Sequence, residues 1–330
     1  MSRTVARLLF YAGIIALALS APFLAPDFRT QMAFLWVMIL FALTWDLLGG
    51  QMGYNSFGNI LFFGIGMYAC AVIQRDSGLG YYAALFSGMG VGAALAVTVA
   101  ALLGSAILGL RGHYFAIGTL GLGVAAGEFA SGWDYIGAGS GMVTPLYPGA
   151  AGGRESFFYY LMFALAAMAF PVLRWLYAGQ FGLTINAIRD DEDKAEALGI
   201  RTTRYKTTAW CISAFFLGLT GGAVGNMIGF IDPRDVAFAG STYGVWMVLM
   251  AILGGKGTLW GPVIGAVIFH LTQEFFWTYF LGWQRVALGL LIVLTVLFFP
   301  LGLFGWARER WPELFGHRVE ETLVQREATR

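Results

Sequence analysis

Two cysteines and three histidines in 330 residues leave little room for redox or metal chemistry. Cys70 and Cys211 stand far apart, which excludes a disulfide framework and a cysteine-ligated zinc site. His113, His270 and His317 are scattered in the same way. Charge is scarce too, at 12% of residues with a net of +1, and no basic face interleaved with aromatics appears, so nucleic acid is not an expected partner. The chain also lacks the motifs of a self-sufficient enzyme. Lys256 lies in Gly-Gly-Lys-Gly-Thr (254–258), without the leading Gly or the following Ser/Thr of a phosphate-cradling loop. Gly121-x-Gly123-x-x-Ala126 matches a dinucleotide fingerprint only in form, because an apolar run surrounds it and no strand precedes it. No Gly-x-Ser-x-Gly nucleophile elbow occurs.

What the chain has in abundance is apolar surface. Hydrophobic residues make up 58%, and the mean hydropathy is +0.70, far from soluble composition. Apolar runs recur near the roughly 20 residues that a helix needs to cross hydrocarbon. Backbone groups in lipid must bond within their own segment, and no alternating barrel pattern is seen, so the spans are expected to be helices. The fold class is therefore all-α, a polytopic membrane helical bundle of about ten spans: 8–25, 31–48, 52–74, 82–107, 113–131, 157–177, 207–229, 241–255, 259–281 and 286–304. The Gly-rich 113–131 and the short 241–255 also fit re-entrant segments. With both ends in the cytoplasm, 15 basic residues fall inside and 5 outside, the bias expected of cytoplasmic loops. The first 22 residues resemble a signal peptide, with small residues at Ser20-Ala21, but an uncleaved first span preserves the even count and the charge bias. Residues 1–305 form one transmembrane domain, and 306–330 a charged cytoplasmic tail, either a solvated helix or disordered.

The 46 glycines are the second compositional signal. Gly88/Gly92, Gly123/Gly127, Gly218/Gly222, Gly221/Gly225 and Gly261/Gly265 have the spacing that lets helix backbones approach closely. Asn55-Ser56-Phe57-Gly58 and Thr258-Leu259-Trp260-Gly261 are faintly alike, each opening a span with an aromatic-Gly pair. Ionisable residues within spans are costly and so are candidates for function. Asp46 lies at the inner end of span two and Glu128 at the outer end of span five, while His270 and Glu274 share one face of span nine.

One loop breaks the apolar pattern. Gly182–Lys206 holds ten of the 20 basic and 19 acidic residues. Ile188, Ala195 and Leu198 fall near one helical face, and Gly199 follows as a C-cap, which predicts a short amphipathic helix. Five acids within 190–196 would be repelled by an anionic inner leaflet, so docking to a cytoplasmic protein fits better than lying on lipid.

The same loop resembles the coupling loop of ABC-importer permeases. Ala-Ile-Arg-Asp-Asp (187–191), Glu196-Ala197-Leu198-Gly199 and Arg204-Tyr205-Lys206 carry that likeness. More narrowly, the chain resembles branched-chain amino acid permeases in their LivM-like subunit. Three further stretches agree in order: Gly53–Gly58 with Phe63–Tyr68, Leu110–Ile117 with Thr119–Gly121, and Gly254–Thr258 with Gly261-Pro262. The resemblance covers about residues 35–305 and implies a transport subunit without its own ATPase site or cofactor, ATP and Mg being held by partners. It implies a second homologous permease, two cytoplasmic ATP-binding subunits, a periplasmic substrate-binding protein and surrounding membrane lipid as partners, in a bacterial inner (plasma) membrane. Ile188, Arg189, Asp193, Glu196, Ala197, Leu198 and Gly199 would then couple to the ATPase, and Asn55, Ser56, Asn59, Tyr114, Thr119 and Glu128 would line the substrate pathway.

Two departures bear on cargo. Asn59 stands where the family commonly has a His, and Gly137-Ala138-Gly139-Ser140-Gly141 replaces a Thr-Gly-Gly-like stretch. A branched-chain or related amino acid is the first expectation; urea, short amides or another small organic compound are the alternative. A proton-coupled secondary transporter using Glu128 or His270/Glu274 is a different class, and a membrane-embedded enzyme a third.

Overall fold

The computed structural model describes residues 3–280, 282–298 and 302–310. It is a helical bundle: α1 (Arg3–Leu24), α2 (Arg29–Gly49), α3 (Ile60–Asp76), α4 (Tyr81–Ile107), α5 (Gly112–Ser131), α6 (Ala151–Ala178), α7 (Gln180–Asp190), α8 (Glu192–Ala197), α9 (Thr202–Ile228), α10 (Val245–Gly254), α11 (Trp260–Tyr279), α12 (Gln284–Phe298) and α13 (Gly302–Arg310).

The centre is α2. Every residue from Val37 to Gly49 is buried, because α6, α9, α10 and α11 all pack around it. Beside it, α3, α4 and α9 form the most intimate trio. Their contact depends on glycine: a Cβ on Gly66 of α3 would overlap the backbone of Gly218 in α9, and one on Gly218 would overlap Ala93 of α4. Lipid offers no hydrophobic drive for helix association, so such close approach supplies the attraction through packing. The expected glycine spacing is thus realised as helix contact, and Gly254 of α10 against Gly261 of α11 repeats it.

Two places depart from regular helix. The third span was expected to begin at 52, yet residues 50–59 are irregular and α3 starts at Ile60. Gly53 (φ 80°) lies in a conformation that glycine favours, and Trp45 Nε1 donates to Ser56 O (2.7 Å), so this segment is held by its neighbours rather than by a helical ladder. The eighth span, expected at 241–255, is α-helical only from Val245. Two π-helical turns (Pro233–Ala237 and Gly240–Gly244) lead into it, the first capped by Asp232, whose carboxylate accepts from Arg234 N (2.8 Å) and Asp235 N (2.7 Å).

By length and apolarity, five described helical stretches qualify as crossing segments: Pro26–Gly49, Tyr81–Ile107, Gly152–Ala178, Thr202–Ile228 and Pro233–Gly254. A sixth arises if Gly112–Ser131 is joined to Asp134–Ser140, to which it bends by 85°. The protein is a membrane-embedded helical bundle; ten spans is a larger number than these criteria support. The tail expected at 306–330 lies outside the described residues beyond Arg310.

The charged loop enters between α6 and α9, which defines a loop end of the bundle. At the opposite end, β1 (Met142–Val143) and β2 (Phe230–Ile231) pair antiparallel with Met142 facing Ile231. Arg154 donates to Met227 O (2.9 Å), and Thr144 N to Gly229 O (3.1 Å). The Gly- and Pro-rich connection before α6 is thereby fastened over the end of α9.

Candidate functional site

The loop expected to form one amphipathic helix forms two. Asp191 leaves the helical region (φ −163°, ψ 105°) and ends α7, and its carboxylate then caps α8 by accepting from Lys194 N (3.0 Å). Hydrogen bonds from the Lys194 side chain and amide hold the Asp191 carboxyl below its usual range. Gly199 closes α8 in the left-handed conformation (φ 85°), with Ile200 N reaching back to Ala195 O (3.1 Å), as the sequence predicts for a C-cap.

The break re-sorts the apolar face. Ile188 and Ala195 are 2% and 1% exposed and pack into this chain, whereas Leu198 is 82% exposed. The three therefore do not form one outward stripe; Ile188 anchors the loop, and Ala197, Leu198 and Gly199 make its tip. Arg189 lies against Gly53 and pairs with Asp190 (3.1 Å). Asp193 pairs with Arg111 (2.7 Å), and Glu196 accepts from Thr202 Oγ1 (2.6 Å).

Behind the tip sits a polar cluster that sequence reasoning missed. Lys206, in the first turns of α9, is 2% exposed. Its ammonium donates to Glu192 Oε1 (2.6 Å), Leu108 O (2.7 Å) and Tyr54 Oη (3.1 Å). Those three acceptors use all its protons. The Tyr54 hydroxyl donates in turn to the other oxygen of Glu192, and Arg111 approaches that oxygen at 3.5 Å. Burial by itself would raise the Glu192 carboxyl, but hydrogen bonds from Lys206 and Tyr54 and the charges of Lys206 and Arg111 outweigh it and hold the group below its usual value. The Tyr54 hydroxyl is pushed above its ordinary value by burial first and by Glu192 second. A second link lies nearby: Asp46, 1% exposed at the end of α2, accepts from Gly257 N (2.7 Å).

A sequence signal for this cluster existed. Tyr54, Arg111 and Lys206 each lie in one of the motif stretches that carry the family likeness, and Gly257 lies in the fourth. Distant in the chain, all four meet at the loop end.

The six expected pathway residues do not form one site. Ser56, Asn59 and Thr119 come together and are fully buried. Ser56 Oγ donates to Asn59 Oδ1 (3.0 Å), Trp210 Nε1 donates to the same oxygen (3.1 Å), and Thr119 Oγ1 accepts from Phe57 N (3.1 Å). These bonds pin the 50–59 segment to α5 and α9; Asn59 Nδ2 is left without a partner. Asn55 is exposed, and Tyr114 is 77% exposed on the outer side of α5. Glu128 is near the opposite end of α5, in an exposed pair with Arg234 (2.7 Å). The reason is helical phase: Thr119 faces inward from α5, while Tyr114 and Glu128 point away from the bundle. His270 is buried with Nδ1 unpartnered, and no hydrogen bond or ion pair joins it to Glu274, although both line a cleft with Gln31 between α2 and α11.

Comparison with known proteins agrees with the motif likeness. The family model described as branched-chain amino acid transport system / permease component matches residues 30–299. The chain is 27% identical to the high-affinity branched-chain amino acid transport system permease protein LivM of Escherichia coli, over 92% of this chain and 76% of the relative. It is also 27% identical to LivH of the same organism, over 43% of this chain and 44% of that protein. The probable branched-chain amino acid transport permease protein LivH of Methanocaldococcus jannaschii is 22% identical over 46% of this chain and 50% of that protein. No solved structure matches.

Proposed function

We propose a mechanism from one premise: the chain belongs to the permease-component family of branched-chain amino acid transport systems. It is one of two permease subunits of an ATP-driven importer in a bacterial inner membrane, with the α7–α8 loop in the cytoplasm. ATP is bound and hydrolysed with Mg on two separate subunits, and a periplasmic protein delivers the solute. The carrying observation is the form of the loop. Its tip, Ala197–Gly199, presents an exposed Leu198, while Ile188, Ala195 and the Glu192–Lys206 pair fasten its other side into the bundle. A tip that is exposed outward and anchored inward is suited to seat in a groove on an ATPase and pass movement to the helices that flank it.

The solute is a small polar organic compound, a branched-chain or related amino acid first and a urea- or amide-like compound second. Its path runs beside α5 at the border with the second permease. Ser56, Asn59 and Thr119 are closed into the packed interior, whereas α5 turns Tyr114, Gly121 and Glu128 outward.

The test is assembly. A tagged chain is expected to bring down an ATP-binding subunit, and Leu198→Asp, Glu196→Arg or Gly199→Trp to abolish solute uptake while the chain still inserts in the membrane. Failure to recover an ATPase, together with unchanged uptake in these variants, would defeat the proposal.

A further inference from the structure

We infer that Lys206, Glu192 and Tyr54 form a latch that positions the coupling helix α8 against the irregular 50–59 segment, so that α8 cannot move without moving that segment. This deepens the importer reading and rests on it. The residues join four parts of the chain at one point: Glu192 from α8, Lys206 from α9, Tyr54 from the segment between α2 and α3, and Leu108 O from the end of α4. Arg111, just before α5, closes the outer side through Glu192 and Asp193.

Three features distinguish the latch from an ordinary surface pair. Lys206 is buried at 2% exposure, so its charge has no water to fall back on when a partner leaves. Tyr54 accepts from Lys206 and donates to Glu192, which makes its hydroxyl the bridge between loop and segment. The segment beyond Tyr54 is not helical. It is held two residues later through Ser56 O to Trp45, and through Phe57 N to Thr119 of α5. A displacement of α8 therefore has a continuous hydrogen-bonded route through Tyr54 and residues 56–57 to α2 and α5. The irregular backbone is the part able to yield, since no intrahelical ladder must break. Lys206 and Tyr54 are positioning residues, touching neither solute nor nucleotide.

The experiment uses the full complex in proteoliposomes, with Asn55→Cys in a Cys211→Ser background as a reporter of the segment. Maleimide labelling of that cysteine is measured without nucleotide and after trapping with ATP and vanadate. In the otherwise unaltered complex the labelling rate is expected to differ between the two states by about fivefold or more, the size of an ordinary coupling between sites. Tyr54→Phe removes only the bridging hydroxyl and is expected to collapse that difference while vanadate-sensitive ATP hydrolysis continues. Lys206→Met is expected to do the same, and its combination with Tyr54→Phe to add nothing further, as members of one unit do. Equal labelling in the two states of the parent complex, or a parent-like difference in Tyr54→Phe, overturns the latch. Absence of the ATPase from the purified complex, or of vanadate-sensitive hydrolysis, instead defeats the importer reading on which it rests. Tyr54→Phe leaves the Lys206–Glu192 pair in place, so the test survives even if Lys206→Met fails to fold.

Discussion

Two ion pairs of nearly equal length sit at opposite ends of this bundle. Lys206–Glu192 closes at 2.6 Å with side chains 2% and 11% exposed; Arg234–Glu128 closes at 2.7 Å with side chains 63% and 58% exposed. Geometry alone would rank them together. Burial separates them, because a pair in water exchanges one good environment for another, whereas a buried charge that loses its partner keeps its desolvation penalty. The first pair fastens an internal junction and the second decorates an end.

The largest expected effect is therefore at Lys206. Lys206→Met removes one partner of the largely buried Glu192 carboxylate and leaves Tyr54 and Arg111, and is expected to lower stability by about 1–3 kcal/mol, read as a fall in the denaturation midpoint of the purified complex. Adding Glu192→Gln is expected to restore part of that loss, since the charge that lacks its lysine is then gone; strict additivity of the two would show that the residues do not act as a pair. Acid sharpens the contrast at smaller scale. The Glu192 carboxyl is held below its usual value in the folded protein, so its contribution is complete above the ordinary carboxylate range, near pH 4.3, and is lost as pH falls through the lower folded value. Stability is thus expected to be flat from pH 7 to about pH 5 on account of this group; a drop there that Glu192→Gln abolishes would contradict the assignment. The smallest effect belongs to the exposed pair. Glu128→Gln or Arg234→Gln is expected to change stability by less than about 1 kcal/mol, and by less again in high salt. A larger loss of uptake without loss of stability would place Glu128 on the solute path beside α5.

Much of the bundle was legible in the chain. Long apolar runs mark helices because hydrocarbon leaves backbone groups no other partner, and the glycine spacing marks close approaches such as Gly218 to Ala93 and Gly221 to Phe63 because only an absent Cβ permits them. The left-handed cap at Gly199 was readable for a similar reason: local backbone geometry needs only local sequence. Illegible features were those in which competing local rules had to be decided by packing. Asp191 satisfies both a continued α7 and a cap on α8, and the structure takes the cap, which turns Leu198 away from Ile188. The stretch from residue 52, expected to open the third span, is instead held out of the helix by bonds to Trp45 and Thr119.

The candidate site shows the same division. Of the six residues expected on the pathway, helical phase decides only those of α5, turning Thr119 inward and Tyr114 and Glu128 outward, while the irregular stretch before α3 buries Ser56 and Asn59 and leaves Asn55 exposed. Tyr54 and Lys206 carry no local mark of their role, because a tyrosine beside polar neighbours and a lysine closing a charged loop are unremarkable one at a time.

Composition and periodicity by themselves determined the solvent, the helical class and the one loop rich in charge, since each follows from what a backbone or an ionised group requires of its immediate surroundings. Their motif stretches pointed to the family. Only the tertiary structure decided that four of those stretches meet at the loop end, that Ile188 faces in while Leu198 faces out, and that Lys206 is buried against Tyr54, Leu108 and Glu192. Which charges lose water is settled by elements packing from more than a hundred residues apart, and no local pattern records that.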